Sequence, residues 1–405
     1  MPKHRILRSF MAVLLALLAL FGALLAWMYN ALPDTFYVTG ESSQLHIASM
    51  PWVTVRQGGE TVSRVDRTDP DRSQNVTLAL FGAIPVKTVR SVQVETRSVQ
   101  VGGTPFGIKM FSDGALVVAF SDQYTSLGTE NPAKEAGLKL GDLIVSAGGR
   151  AIRSNEELTQ AITAAAGRSL SLVYRRDGQE HTTTLTPVED AATGAYRAGV
   201  WVRDSSAGIG TMTFLDPLHG TFAGLGHAIS DTDTGADITL LSGEIVPVMI
   251  TSCVSGTAGS PGELRGEFSA VTAGTVLAND ATGIYGSYTG PQTGQNCVVC
   301  QPQEIALGEA EIWTTVSGST PKRYTVRIER VNMTSGDPNR NLLIKVTDPE
   351  LLAATGGIVQ GMSGSPIVQN GKLVGAVTHV LVNDPTRGYG IFASTMLEKA
   401  DSVAS

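Results

Sequence analysis

The second half of the chain alternates short apolar segments with glycine turns. This pattern continues from about residue 199 to 396, through segments such as GTMTFLD and LLIKVTD, and helical periodicity is nearly absent outside a tail near 395–401. Short apolar runs bounded by glycine are typical of strands, since glycine supplies the backbone conformations that tight turns need. The 45 glycines and the 6% aromatic content agree with this interpretation. A β-barrel or a pair of barrels is therefore predicted for residues 189–405.

The N-terminus combines positive charge with a long apolar run. Basic residues between positions 3 and 8 precede residues 10–28, a stretch of 19 residues without a charge. This length fits one membrane-spanning helix, and the shorter apolar region of a cleaved signal peptide is the alternative. We assign residues 1–32 to a membrane anchor or signal segment. With the positive charges inside, the chain after about Asn30 lies on the far side of the membrane.

Composition excludes several classes of function. The net charge of −7 and the lack of a long basic stretch give no reason to expect nucleic acid as a partner. The sequence contains no P-loop, no GxGxxG in a βαβ setting and no HExxH motif, so neither a cofactor nor a metal is expected.

The three cysteines offer one close pair. Cys297 and Cys300 form a CxxC motif, whereas Cys253 stands apart. A disulfide between Cys297 and Cys300 is the expectation for a translocated chain. One CxxC without a second pair or nearby histidines is weak support for zinc.

The pattern changes at about residue 99. Residues 33–98 read as a small juxtamembrane region of alternating strands. The following segment NPAKEAGLKLGDLIVSAGGRAI predicts a short helix, a turn at Gly141-Asp142 and a strand. Ser154 and Glu157 then form a capping box that opens a helix through about residue 165, and a hairpin is predicted at Asp177-Gly178.

This segment resembles the bacterial PDZ domain, with bounds of 99–188. The resemblance implies that a peptide adds a strand to the domain and that a backbone loop captures a carboxylate. It places that loop at Thr104, Pro105, Phe106 and Gly107. These residues depart from the usual Gly-Leu-Gly-Phe pattern, so internal peptides or the protein's own segments are alternative ligands. A PDZ fold that serves only as a spacer is a further alternative.

The turn GMSGSP at 361–366 lies between two apolar runs and predicts a nucleophile. A hydrolytic serine needs a base within reach and N–H donors that face the developing oxyanion. The turn resembles the GDSGGP motif of chymotrypsin-like peptidases. This resemblance makes Ser363 the nucleophile, and the N–H groups of Gly361 and Ser363 the oxyanion hole. Ser365 is the alternative nucleophile, and a plain strand-ending turn is the alternative without catalysis.

The general base is expected among the histidines after residue 189. His227 lies in GLGHAI, where small residues surround one imidazole at the junction of a strand and a turn. His219 reads as an exposed hairpin tip. His379 follows the nucleophile and is expected to pack nearby. His227 is therefore the predicted base.

The carboxylate that orients the base has several candidates. Asp348 is favoured because it ends the apolar strand 342–346, where a side chain is held rigidly, and because it lies 15 residues before Ser363. Asp231, Asp233 and Asp237 follow His227 in a turn that suits solvated side chains. Asp384 is expected to cap a turn.

The segments WVRDSSAGIGTMTF, GLGHAISDTDTG and GMSGSPIVQNGKLVGAVTHVLVNDPTRGYGIF, together with the N-terminal apolar segment and the PDZ domain, resemble the stage IV sporulation protein B (SpoIVB) serine peptidase family. The resemblance covers nearly the whole chain and implies a triad of His227, Asp348 and Ser363. The fold class that it implies is mainly β: an N-terminal transmembrane helix, a small β region, an α+β PDZ domain and a chymotrypsin-like β-barrel peptidase domain.

The resemblance also implies a function. Peptidases of this family are secreted into the space between the forespore membranes. They cleave themselves and a membrane regulator of an intramembrane metalloprotease, which then processes a late sigma factor. The alternative from another class is a non-catalytic, PDZ-bearing adaptor at the membrane. A quality-control protease of the HtrA type is disfavoured, because its PDZ modules follow the protease domain.

One position departs from trypsin-like peptidases. Met362 stands where those enzymes have the aspartate that binds a newly formed N-terminus. A methionine cannot pair with an ammonium group, so we expect activity to be gated by autocleavage or by PDZ–peptide contacts.

Overall fold

The computed structural model of the chain describes residues 2–39, 45–56, 73–231, 234–235, 238–291 and 294–404. The N-terminal apolar segment forms helix α1, Pro2–Ala31. Within it, Arg8–Ala31 has a mean hydropathy of 2.6 and is long and apolar enough to cross a membrane. This finding fits either a membrane anchor or a signal sequence.

In its described residues the juxtamembrane region forms a four-stranded sheet, in the strand order first, fourth, third, second. Its apolar core includes Met28 and Leu32 at the end of α1, both fully buried. The Lys87 ammonium lies 2.5 Å from the Leu32 carbonyl oxygen and 2.9 Å from the Asp34 carboxylate. It therefore provides a hydrogen-bond donor for a backbone carbonyl group at the C-terminal end of the helix. The strands are β1 Thr35–Thr39, β2 Val53–Arg56, β3 Ser73–Leu80 and β4 Ile84–Val94.

The PDZ region contains the helix and the hairpin that the sequence predicts. The Ser154 hydroxyl accepts a hydrogen bond from the Glu157 N–H at 3.2 Å and caps the helix Asn155–Ala165. Asp177 and Gly178 both have positive φ, as the predicted two-residue hairpin turn requires. The elements of this stretch are β5 Ser98–Val101, β6 Pro105–Phe120, β7 Gln123–Thr125, β8 Gly128–Glu130, α2 Pro132–Glu135, β9 Leu143–Ala147, β10 Arg150–Ala151, α3 Asn155–Ala165, β11 Leu170–Arg176, β12 Gln179–Leu185, β13 Val188–Glu189 and β14 Tyr196–Arg197.

In the described residues after Arg197 the regular elements are strands apart from two α-helices and two 3₁₀ turns, which confirms the mainly β prediction. These elements are β15 Val200–Asp216, β16 Thr221–Gly224, β17 Leu240–Val254, β18 Glu263–Phe268, β19 Gly274–Asp280, β20 Gly283–Tyr288, β21 Gln295–Val299, β22 Gly308–Thr314, β23 Lys322–Val331, β24 Leu342–Val346, α4 Pro349–Thr355, β25 Pro366–Gln369, β26 Lys372–Leu381, β27 Asp384–Phe392 and α5 Ala393–Ala404. Single-turn 3₁₀ helices lie at Pro302–Glu304 and Pro338–Arg340.

A long antiparallel ribbon joins the PDZ region to the barrel. Strands β6 and β15 pair from Thr211 opposite Pro105 to Val200 opposite Phe120. One end of β6 pairs with the PDZ strand β9, and the other end pairs with the barrel strand β17. The predicted boundary at residue 99 thus falls within strands that the barrel shares.

The barrel has two apolar halves. One half is built on β6, β15, β16, β17, β19 and β20, and its core includes Phe106 and Phe222 in edge-to-face contact. The other half is built on β22 to β27, and its core includes Ile312, Ile344 and Met362. Both the strand order and the closed sheet agree with the predicted barrel.

The residues predicted to form the PDZ carboxylate loop lie elsewhere. Pro105, Phe106 and Gly107 are buried at the start of β6. All three pair with β15, and Phe106 and Gly107 also pair with β17 on the other edge. Thr104 precedes this strand, and its carbonyl oxygen accepts a hydrogen bond from the Met212 N–H. The structure therefore gives these four residues to the barrel and not to a peptide groove, because their strand has partners on both edges.

The predicted disulfide is absent. Cys253, Cys297 and Cys300 are free thiols. Cys297 and Cys300 are buried in two different apolar clusters, so their side chains pack in separate cores. Burial, aided by the Glu304 carboxylate, raises the pKa of the Cys300 thiol to about 12, which keeps it protonated at neutral pH.

The assignment of Phe106 to the barrel core predicts a large effect on stability. We expect Phe106→Ala to lower the free energy of unfolding by about 3–5 kcal/mol, because it empties a fully packed position. Phe111→Ala on the same strand is the matched control. Phe111 is 47% exposed, so its loss should cost about 0.5 kcal/mol. Urea unfolding measures both, and equal effects would contradict the barrel assignment.

Candidate active site

The two turns singled out from the sequence lie against each other. Gly364 has φ +92°, and a Cβ at this position would overlap the Thr211 carbonyl oxygen and lie 2.5 Å from the Leu225 nitrogen. The turn GMSGSP therefore contacts the turn GLGH directly, and only glycine fits at 364. Gly226 is also in the left-handed region, and a Cβ there would lie 3.0 Å from the Thr378 methyl group of β26.

Thr211 on β15 holds the nucleophile turn in place. Its N–H donates to the Ser363 carbonyl oxygen at 2.9 Å, and its hydroxyl donates to the Gly361 carbonyl oxygen at 2.8 Å. The hydroxyl of Thr213, two residues along, donates to the Gly364 carbonyl oxygen at 2.8 Å. Both threonines are buried. Three carbonyl groups of the turn are thus fixed by one strand.

This arrangement leaves two N–H groups of the turn available. Among the residues that the structure describes, the N–H groups of Gly361 and Ser363 have no hydrogen-bond acceptor. Their carbonyl oxygens are bound by Thr211, so the free N–H groups are held in fixed positions. An oxyanion hole needs such preorganised donors. The predicted role of Gly361 and Ser363 stays a prediction that this geometry permits.

Ser363 itself makes a hydrogen bond away from the predicted base. Its hydroxyl donates to the Thr378 carbonyl oxygen at 2.7 Å. The hydroxyl hydrogen must leave this carbonyl oxygen before it can be donated to an imidazole. Ser365, the alternative nucleophile, is fully buried, and its hydroxyl lacks a hydrogen-bond partner.

His227 has the tautomer that a general base requires. Its Nδ1 lies 2.7 Å from the carbonyl oxygen of Ala228. Because a carbonyl oxygen only accepts, Nδ1 carries a hydrogen, and in the neutral ring the lone pair is then on Nε2. The His227 ring also contacts the His379 ring, with centroids 4.6 Å apart and planes at 34°.

In the structure the Asp348 side chain caps a helix. Its carboxylate is the N-cap of α4 and accepts hydrogen bonds from the backbone N–H groups of Glu350, Leu351 and Thr325. Burial favours the neutral acid, but these hydrogen bonds together hold the pKa of Asp348 below its ordinary value. The structure does not bring this carboxylate to the His227 ring, and the orienting role stays a prediction.

Two of the alternative carboxylates pair with arginines, and the other two lie outside the described residues. Asp231 is buried and pairs with Arg203 at 2.5 Å. Asp384 accepts from Thr386 and pairs with Arg387, which agrees with a turn cap. Asp233 and Asp237 lie outside the described residues.

Met362 is fully buried in the apolar core of the second half of the barrel. The position that holds an aspartate in trypsin-like peptidases is here a packing residue. An aspartate at 362 would place an unpaired carboxylate in this core, which is strongly unfavourable.

One group of side chains in the described part of the chain has the spacing of metal ligands. Asp216, His219 and Asp401 bring oxygen and nitrogen atoms within 4.8 Å of one another. Arg97 donates to Asp216 at 2.7 Å and to Asp401 at 3.0 Å, so a guanidinium already balances both carboxylates. The group joins α5 to the barrel.

Sequence reasoning missed Thr211, Thr378 and helix α4. The helix carries a recognisable start, an aspartate at the N-cap followed by proline at the first helical position. Thr211 had no comparable signal, because its role depends on contact with a turn far away in the sequence.

A serine held in a glycine-rich turn, a histidine in the turn packed against it and a closed β-barrel define a serine peptidase, here with a PDZ domain. Residues 194–397, half of the chain, match the family model described as SpoIVB peptidase S55, and residues 108–186 match a PDZ domain. The chain belongs to the SpoIVB peptidase S55 family.

Curated relatives match over short stretches. A putative zinc metalloprotease of Neisseria meningitidis is 31% identical over 109 residues, which are 26% of this chain and 24% of that protein. The serine protease HTRA1 of Xenopus tropicalis is 42% identical over 60 residues, 15% of this chain and 13% of that protein. The chain thus spans a quarter or less of these relatives.

Solved structures resemble the chain only loosely. The inactive form of Rv3671c from M. tuberculosis is 13% identical and covers 48% of this chain and 82% of its own, with a TM-score of 0.27. The HtrA-type protease AlgW with a decapeptide is 11% identical. The match covers 50% of this chain and 54% of that protein, with a TM-score of 0.29. These scores are too low to support an argument.

Substitution of Asp348 separates its two roles. We expect Asp348→Ala to lower the free energy of unfolding by about 1 kcal/mol through loss of the cap, and Asp348→Ser to restore most of it, since serine also caps helices. If Asp348 also orients His227, the serine variant should fold normally yet lose about 10²- to 10⁴-fold in reaction with a fluorophosphonate. A wild-type rate in that variant would restrict Asp348 to the cap.

Proposed function

We propose that this protein is a membrane-associated serine endopeptidase of the sporulation signalling type. It cleaves itself and an extracytoplasmic segment of a membrane regulator, which releases an intramembrane metalloprotease to activate a late sigma factor. The observation that carries the peptidase part is the Ser363 turn, bound by Thr211 and packed on the turn that holds His227. Membership of the family supports the signalling part.

The chemistry follows from these positions. The Ser363 hydroxyl rotates from the Thr378 carbonyl oxygen to His227 Nε2 and attacks the scissile carbonyl carbon. Its proton moves to Nε2, and the N–H groups of Gly361 and Ser363 stabilise the negative oxygen. His227 then gives this proton to the leaving amine, and water hydrolyses the acyl-enzyme by the same steps in reverse. The Ala228 carbonyl oxygen accepts from Nδ1 throughout, which keeps the imidazole in the productive tautomer.

Contacts between the peptidase domain and the end of α1 support action at a membrane. The Thr334 hydroxyl donates to the Asn30 carbonyl oxygen at 3.1 Å. Met333 packs against both the juxtamembrane core and the barrel core. If α1 is retained in the membrane, these contacts keep the barrel near its surface on the extracytoplasmic side. Membrane-bound substrates and the chain itself are then the nearest targets, and PDZ contacts with peptide segments would add selectivity.

Mass spectrometry of self-cleavage products tests the proposal. We expect full-length protein to release defined fragments and Ser363→Ala to release none, because the nucleophile is lost. Ser365→Ala is the matched control two residues away. It removes a buried hydroxyl without a partner, so cleavage and stability should stay close to wild type. Fragments that persist in Ser363→Ala, or vanish only in Ser365→Ala, would refute the assignment.

A further inference from the structure

The tip of the hairpin between β3 and β4 exposes a run of apolar residues. Residues 81–85 read FGAIP, and all five are exposed. The Phe81 side chain is 74% exposed. Hairpin turns usually carry glycine, asparagine or aspartate, and an exposed run of apolar residues is unfavourable in water unless it has a function. The tip therefore indicates a contact with a partner that is itself apolar.

The backbone of the tip is unfavourable for the side chain that it carries. Phe81 has φ +50° and Gly82 has φ +71°, and the Ala83 N–H donates to the Leu80 carbonyl oxygen at 3.1 Å. This is a two-residue hairpin turn, in which the first central position favours asparagine, aspartate or glycine. A bulky residue with positive φ is an outlier, and such outliers cluster at functional positions. The turn itself thus gives no reason for a phenylalanine.

Strand pairing directs the tip toward the apolar helix α1. Strand β4 runs parallel to β1, with Arg90 opposite Thr35. Because the strands are parallel, the residues of β4 before Arg90 run alongside the chain that precedes Thr35, which is the end of α1. Ile84 is six residues before Arg90, so it lies about 20 Å back along the strand in this direction.

Contacts between β4 and α1 agree with this direction. The Lys87 ammonium lies 2.5 Å from the Leu32 carbonyl oxygen and 4.8 Å from the centre of the Tyr29 ring. Val86 of β4 and Leu25 of α1 pack against the same apolar core. The start of β4 therefore lies beside the last turns of the helix, within the segment that is long and apolar enough to cross a membrane.

The residues around the tip suit the boundary between lipid and water. The Phe81 N–H donates to the carbonyl oxygen of Trp52, whose side chain is exposed. The exposed Arg56 donates from its guanidinium to the Ala83 carbonyl oxygen at 3.4 Å. Aromatic rings favour the membrane interface, and an arginine at this depth directs its charge to the lipid headgroups. Apolar, aromatic and basic residues together are typical of segments that lie in the interface.

We infer that the β3–β4 tip inserts into the bilayer beside α1, as a membrane contact in addition to the helix. Phe81 and Ile84 enter the acyl-chain region, and Arg56 faces the headgroups. The contact fixes how the juxtamembrane sheet is rotated about the helix axis. The inference rests on the membrane part of the proposed function, because it needs α1 to lie in the bilayer, and it does not depend on the chemistry of Ser363.

The Gln303 side chain extends the consequence to the peptidase domain. Its amide donates to the Tyr37 carbonyl oxygen of β1, and its own carbonyl oxygen accepts from the Ala48 N–H at 2.7 Å. The barrel is thus bound to the sheet that carries the tip. A sheet held at two points on the membrane sets which side of the barrel faces the lipid.

Photocrosslinking of the full chain in vesicles tests the inference. We replace Phe81 with p-benzoylphenylalanine, whose excited ketone abstracts a hydrogen from a nearby C–H bond and then bonds to that carbon. The vesicles contain equal parts of phosphatidylcholine and phosphatidylglycerol, and mass spectrometry measures lipid adducts. Tyr124 of β7, an aromatic residue with 70% exposure in the PDZ region, is the matched control. We expect at least about tenfold more acyl-chain adduct at position 81 than at position 124.

Other results separate the possible failures. Equal adduct at the two positions, or crosslinks from position 81 to a second copy of the chain instead of lipid, would overturn the inference. The same probe at Leu18, an exposed residue of α1, tests the helix itself. Lipid adduct at Leu18 without adduct at Phe81 refutes only the inference, whereas no adduct at either position also refutes the membrane part of the proposed function. If the Phe81 variant does not fold, Ile84 takes the probe, with the same expected excess over Tyr124.

Discussion

The hydrogen bonds of Thr211 are the constraint on which the active site depends. The Thr211 backbone and hydroxyl bind the carbonyl groups of Ser363 and Gly361, and the Leu225 N–H donates to the Thr211 carbonyl oxygen at 3.4 Å. One buried residue thus joins the nucleophile turn to the turn that leads to His227. Because buried polar groups are costly to leave unpaired, this set of bonds specifies how the two halves of the barrel meet.

Local signals in the sequence were sufficient for much of the architecture. The glycine-flanked Ser363 and His227 predicted two tight turns, and the structure has both at strand ends. The capping box at Ser154 and the pair Asp177-Gly178 predicted a helix and a hairpin, since their geometry depends only on neighbours in the chain. The helix α1 follows from length and hydropathy alone.

Features that depend on contacts between residues far apart in the sequence could not be predicted from local signals. Phe106 belongs to the barrel because β6 continues straight through two regions, and no local residue marks that continuation. Cys297 and Cys300 point into different cores, which their spacing does not reveal. The place of Asp348 after a strand favours an orienting role, although the following proline marks it equally as a helix cap. The contact of His379 with His227 depends on how β26 meets the turn GLGH.

A crystal structure of the full chain after reaction with a fluorophosphonate is the most direct test of this account. In the free protein the Ser363 hydroxyl donates to the Thr378 carbonyl oxygen, so reaction must move it. The account predicts a phosphorus atom bonded to the Ser363 oxygen. It also predicts that the phosphoryl oxygen lies about 2.7–3.1 Å from the backbone nitrogen atoms of Gly361 and Ser363. An adduct on Ser365, or a phosphoryl oxygen directed away from these two nitrogen atoms, would contradict it.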